Sequence, residues 1–139
     1  DKHYSFKLIA TEQKDTLHLF ECAIDLLSYA TLIKMNGGDW QNENLLSLAG
    51  IYTPQKNIAE SKIPMALTQH LQDYPNIQNI VLHLDNDRPG RLASEALRTV
   101  ICSPYNVRDA PPPFAKDCNE YLLYKLGKEK NRTERNDAR

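Results

Sequence analysis

No apolar run in the sequence approaches the roughly 18 residues that cross a bilayer, and the polar start, Asp1 to Lys7, lacks the apolar core of a secretory signal. These absences argue against a helical membrane protein or a secreted one, so the chain is expected to be cytoplasmic with no membrane partner. Nor is there a surplus of charge of one sign. Lys plus Arg number 17 and Asp plus Glu 18, for a formal net charge of −1, which excludes a bulk electrostatic grip on DNA and requires any nucleic-acid contact to be local. Cysteine is scarce: Cys22, Cys102 and Cys118 are widely spaced and no pair has C-x-x-C spacing, so neither a zinc ribbon nor a disulfide framework is indicated. They read as reduced thiols, with Cys22 and Cys102 as small buried apolar residues. The absence of an initial Met suggests a domain excised from a longer protein, whose other domains are expected partners.

What is present is enough for one core: 139 residues, 41% of them hydrophobic. Residues 4–10 are rich in β-formers and read as a short peripheral strand. Residues 17–21 alternate as a strand and run into a helix with Ile24, Leu27, Leu32 and Ile33 at helical spacing, stopped by Gly37 and Gly38. The same strand and helix outline recurs at 44–50 with 64–75, and at 79–85 with a helix carrying Leu92, Ala96, Leu97 and Val100 on one face. Residues 105–110 form a fourth strand, followed by a proline-rich connector and a closing helix over 117–127. This alternation predicts an α/β fold, an open sheet of about four parallel strands flanked by helices, with an extra N-terminal strand. The boundaries are residues 1–16 for the peripheral extension, 17–126 for the domain, and 127–139 for a polar tail, a frayed helix end or disordered.

In such a sheet, functional groups gather at the carboxyl ends of the strands, where strand order reverses. Counting from residue 17, an order 2-1-3-4 would bring Glu21, at the end of the first strand, beside Asp85 and Asp87, at the end of the third. Asp117 follows the fourth. Two carboxylates about 4 Å apart repel by about 4 kcal/mol at the effective dielectric of a protein site, so a cluster requires a raised pKa or a divalent cation. Oxygen ligands without Cys or His favour Mg²⁺ or Mn²⁺ and suit phosphoryl transfer. Each acid also has a plainer reading. Asp87 in a turn can cap the next helix, and Asp25 can be favourable charge near a helix N-terminus. His18 and His83, inside strands, read as satisfied structural histidines. Trp40 reads as a contact to a neighbouring domain or a cover over a helix end.

At these residues the sequence resembles the Toprim domain of primases, topoisomerases and certain nucleases. That family's motif, a Glu after the first strand and Asp-x-Asp after the third, is matched by Glu21, Asp85 and Asp87. DNDRPGRLASEAL is similar to the primase pattern D-x-D-x-x-G-R-x-A, and KDCNEYL to the K-D-x-N-x-x-L segment of phage-type primases. FECAIDLLSYATL, LLSLAGIY and VLHLDNDRPGRLA resemble the Toprim-like domains of proteins from conjugative and mobilisable elements, where such domains follow a short N-terminal domain of unknown function. The family normally has Gly after the Glu, where this chain has Cys22, a side chain that narrows the site or demands a different φ.

The resemblance implies a Mg²⁺-dependent (or Mn²⁺-dependent) phosphoryl-transfer module acting on DNA, RNA or nucleotides, primase-like, in replication or transfer of a mobile element. Glu21, Asp85 and Asp87 would be both catalytic and metal-binding, with Asp25 and Asp117 supporting them. Arg88, Arg91 and Lys116 would meet phosphate. The alternatives are a Toprim-type nuclease and a non-catalytic module that binds DNA or a partner. Against a haloacid-dehalogenase phosphatase, Arg88 and Pro89 stand where its motif has x-T or x-V.

Overall fold

A computed structural model describes residues 5–50, 52–101 and 104–137, apart from the side chains at 129, 134, 136 and 137. Cys102 lies outside the described residues, as does the first residue of the expected N-terminal strand. Five strands, β1 (Lys7–Leu8), β2 (Thr16–Phe20), β3 (Asn44–Ser47), β4 (Asn79–Leu82) and β5 (Asn106–Asp109), form one sheet in the order β1-β3-β2-β4-β5. β1 pairs antiparallel with β3 and every other pairing is parallel. The four parallel strands thus adopt the 2-1-3-4 order that would join the acids, and the switch point falls between β2 and β4. The family-like α/β architecture with its extra N-terminal strand is as read from the sequence.

Period-2 alternation divides the strands between two cores. Leu17, Leu19, Leu46, Ile80 and Leu82 point to one face, where they pack with Leu67 of α2 (Met65–Asp73) and with Ala93 and Leu97 of α3 (Arg88–Val100). Phe20 and Leu45 point to the other, against Leu26 and Ala30 of α1 (Ala23–Met35) and Cys118 of α4 (Cys118–Asp137), with Trp40 packed on the cluster. Trp40 is therefore a cover for this core.

His18 and His83 also belong to this second face. His83 Nδ1 donates to the Ala110 carbonyl (2.9 Å), which leaves its Nε2 to accept from His18 Nδ1 (2.7 Å). The rings stack on each other and His83 stacks on Phe20, at 5.0 Å between centroids in both cases. Burial pushes His18 down to about 4 and His83 to about 3, so both are neutral structural groups, as the plainer reading has it.

Three local expectations are corrected. Ile24 and Leu27 are 55% and 44% exposed, and α1 buries Asp25, Leu26, Ser28, Ala30 and Leu32 instead. The helix is rolled to present its polar residues to the strand ends and to α4, where the Ser28 hydroxyl donates to Asn119 Oδ1 (3.2 Å). In α3 Leu92 is likewise exposed, and Ala93, Ala96 and Leu97 form the buried stripe. The last helix runs through Gly127 to Asp137, because Gly127 does not take the left-handed conformation that would end a helix and a lone helical glycine costs only about 1 kcal/mol. At the end of α1, Gly37 does take that conformation (φ 81°), and Gly38 N–H closes on the Ile33 carbonyl (2.9 Å), stopping the helix where expected.

Gly90 has a different task. A Cβ there would lie 2.0 Å from the Asp85 carbonyl oxygen, so the first turn of α3 packs directly on the backbone of the β4 end. Gly90→Ala is expected to push the helix off that turn and cost about 1–3 kcal/mol, the range for overpacking a tight contact, read as a lower urea midpoint at unchanged m-value.

Candidate metal centre

The acids converge from three separate chain segments. Glu21 and Cys22 leave β2, Asp25 sits in the first turn of α1, Asp85 follows β4, and Asp117 ends the loop that enters α4. Cys22 caps α1 with φ −142°, ordinary extended backbone, so the position makes no demand for glycine here. Its thiol donates to Asp25 Oδ2 (3.2 Å), and the N–H of Asn119 donates to Asp25 Oδ1 (3.2 Å), tying α4 to α1 across the site. The Lys116 carbonyl accepts from Asn86 N–H (2.5 Å) and holds the last loop against the Asp85 to Asp87 turn.

These ties bring one oxygen each of Asp25, Asp85 and Asp117 within 4.8 Å of one another. Burial, and then the charges of Glu21, Asp25, Asp117 and Asp87, push Asp85 up to about 7. Burial also raises Asp25 and Glu21 above their ordinary values. Glu21 is buried, and hydrogen bonding with Asp85 partly offsets the rise that burial causes. Asp85 Oδ1 is itself buried without a hydrogen-bond partner among the described residues. A buried carboxylate oxygen without a partner, on a residue clustered with two further carboxylates and with no sulfur or imidazole among the three, has the chemistry of a hard divalent cation site. The residues present fit such an ion.

The remaining sequence candidates are distributed around this cluster. Asp87 Oδ1 accepts from Gly90 N–H (2.9 Å) and caps α3, while its other oxygen lies 3.9 Å from Lys116 Nζ. Asp117 likewise caps α4, accepting from Glu120 N–H (2.8 Å), and still contributes to the three-acid group. Arg88 is exposed at the start of α3. Arg91 turns inward: its guanidinium donates to the Leu84 and Asp85 carbonyls (3.2 and 3.3 Å) and pairs with Asp109 at the end of β5. It clamps the ends of two strands beneath the site.

Residues 18–122 match the family model described as Toprim-like. The chain belongs to the Toprim-like family. Among solved structures, this Toprim-like chain is similar to the crystal structure of the primase fragment of the bacteriophage T7 primase-helicase protein, with a TM-score of 0.54 and 21% identity. The match covers 87% of this chain and 43% of that one, so the Toprim-like chain spans less than half the length of the fragment it resembles. No curated protein is significantly similar to it in sequence. Among the described residues, no helix is long and apolar enough to cross a membrane.

Two measurements probe this geometry. A carboxyl whose folded pKa is raised to about 7, against about 3.9 unfolded, contributes stability that is complete below pH 4 and is lost as pH rises through 7. The neutral histidines act in the opposite sense below about pH 6.5, so the contribution of Asp85 is read as a difference between chains. In EDTA, the melting temperature of Asp85→Asn minus that of the native chain is expected to grow from pH 5 to about pH 7 and to level off above it; a flat difference throughout would show that Asp85 is not perturbed. Arg91→Ala is expected to lose about 2 kcal/mol in urea unfolding, the scale of hydrogen bonds to a charged group, and unchanged stability would remove its role as a clamp.

Proposed function

We propose that this Toprim-like domain is a Mg²⁺-dependent module for phosphoryl transfer on nucleic acid, primase-like, and that it serves replication or transfer of a mobile element. The observation that carries the reading is the convergence of Asp25, Asp85 and Asp117 at the switch point with a buried, unpartnered oxygen on Asp85. Its position at the carboxyl ends of β2 and β4 is where an open parallel sheet presents its ligand site.

In this reading Asp25, Asp85 and Asp117 hold the cation, and Asp87 adds an oxygen by turning away from Lys116. A bound Mg²⁺ would supply charge neutralisation at a phosphoryl oxygen and lower the pKa of a coordinated water. Glu21, whose pKa is raised by burial, would take a proton from an attacking hydroxyl or water. The Cys22 thiol and the Asn119 N–H keep both Asp25 oxygens oriented. Arg88 and Lys116 meet phosphate oxygens from the rim. Arg91 belongs to the support of the strand ends, and its contribution to phosphate is indirect.

Calorimetric titration of the chain with Mg²⁺ and with Mn²⁺ tests this, alongside Asp85→Asn and the Asp25→Asn/Asp117→Asn pair, with nicking of supercoiled plasmid followed on the same samples. The native chain is expected to bind a cation and each variant to bind at least tenfold more weakly. Nicking would identify a nuclease; metal binding with no nicking supports a primase-like module that works with further domains. A native chain that binds neither ion would sink the metal-dependent reading and leave a non-catalytic binding module.

A further inference from the structure

The loop that follows β3 closes a cavity against the first turn of α3. It holds about 480 Å³, inside the roughly 300–1,000 Å³ typical of small-ligand sites. Tyr52, Pro54, Lys56 and Ile58 line it from the loop, Arg88 and Leu92 from the helix. Both walls start at acid-bearing turns. Gly50 N–H donates to the Glu21 carbonyl (2.9 Å) where the loop begins, and Arg88 directly follows Asp87.

The chemistry of this lining differs sharply from that of its neighbour. It contains two cations and no acid, whereas the adjoining turns carry the carboxylates. Arg88 and Lys56 are exposed, and neither makes an ion pair among the described residues. Tyr52, Pro54, Ile58 and Leu92 give the same lining an apolar wall. Leu92 is 41% exposed, out of the helix's buried stripe, and Tyr52 is half-buried with its ring held in place by a hydroxyl that donates to the Lys62 carbonyl. The helix N-terminus itself offers little to an anion, since Pro89 has no N–H and that of Gly90 is taken by Asp87. Anion recognition here therefore falls to the two side chains.

A free phosphate has no use for the apolar wall, and an apolar ligand has none for two unpaired cations. A nucleotide unit uses both. We infer that this cavity is a subsite for single-stranded nucleic acid, with a base against Tyr52 and Leu92 and the adjoining phosphate on Arg88 and Lys56. The strand then continues toward the carboxylate cluster. This rests on the reading of that cluster as a phosphoryl-transfer centre and extends it by naming the polymer and its path. Base contacts to an aromatic and aliphatic face are tolerant of sequence, so the subsite would grip a strand without reading it.

The test is fluorescence anisotropy with fluorescein-labelled 12-nucleotide oligo(dT) and oligo(rU), in EDTA so that no metal is needed, over a range of salt. Lys56→Ala/Arg88→Ala is expected to bind at least tenfold more weakly than the native chain, and the slope of log affinity against log salt to flatten by about 1.4, two contacts at about 0.7 each. Leu92→Asp, an exposed position where folding is checked by circular dichroism, is expected to weaken binding through the wall. Tighter binding of dT assigns the subsite to DNA and of rU to RNA, and either upholds it. Native-like affinity and salt slope in both variants, or no binding of either oligomer by the native chain, overturns it. Mg²⁺ calorimetry on Lys56→Ala/Arg88→Ala without oligonucleotide separates the two ideas: retained metal binding with unaltered oligonucleotide binding removes the subsite alone, whereas loss of oligonucleotide binding in a chain whose native form holds no metal upholds the subsite and removes the phosphoryl-transfer reading.

Discussion

Mutual repulsion of carboxylates, opposed by a backbone that gives them nowhere else to go, is the constraint on which this domain turns. Each close pair costs several kcal/mol at the effective dielectric of a protein site. The opposing force comes from elsewhere: β2 and β4 pair in parallel through residues such as Leu17, Leu19, Ile80 and Leu82 that are wholly buried, and this pairing sets Glu21 and Asp85 side by side. Asp85 responds by holding its proton to about pH 7. A divalent cation would relieve the same stress by another route, so proton and metal are expected to compete for one set of oxygens.

How much of this was legible in the sequence differs from residue to residue. The parallel sheet followed from the alternation of strands and helices, whereas the order 2-1-3-4, and with it the meeting of Glu21 and Asp85, was one of the few topologies that right-handed crossovers leave for four such units. Asp25 and Asp117 were visible as acids near the site. Their role as partners of Asp85 was not, since it depends on α4 docking on α1 through Asn119 and Asp25, a contact 94 residues apart in the chain. Asp87 shows the converse. Its place in the motif suggests a ligand, yet capping α3 is locally satisfying, and one of its oxygens is committed to Gly90. Arg91 was readable as a cation, but not which oxygens it would find; a long side chain one turn into α3 reaches the strand ends only because Gly90 lets the helix lie on Asp85.

Helical periodicity failed on α1 for an instructive reason. Ile24 and Leu27 sit at the spacing of an inward face, but the inward position is taken by Asp25 and Ser28, whose hydrogen bonds to Cys22, Asn119 and the Ile24 carbonyl fix the roll of the helix. Buried polar groups with complete partners outweigh two exposed aliphatics here, because leaving Asp25 unpaired in the interior costs more than leaving Ile24 in water. Cys22 belongs to the same arrangement. In extended backbone its side chain is accommodated, and its thiol becomes part of the lattice around Asp25.

The two outer strands of the sheet have a consequence for how the molecule behaves among its own copies. One is the two-residue β1 and the other the four-residue β5, which carries Arg108 and Asp109 and runs into Pro111, Pro112 and Pro113. Prolines have no N–H to donate, and short charged edges make poor templates. The domain can therefore keep an open, unclosed sheet at high local concentration, with little tendency to grow by strand addition.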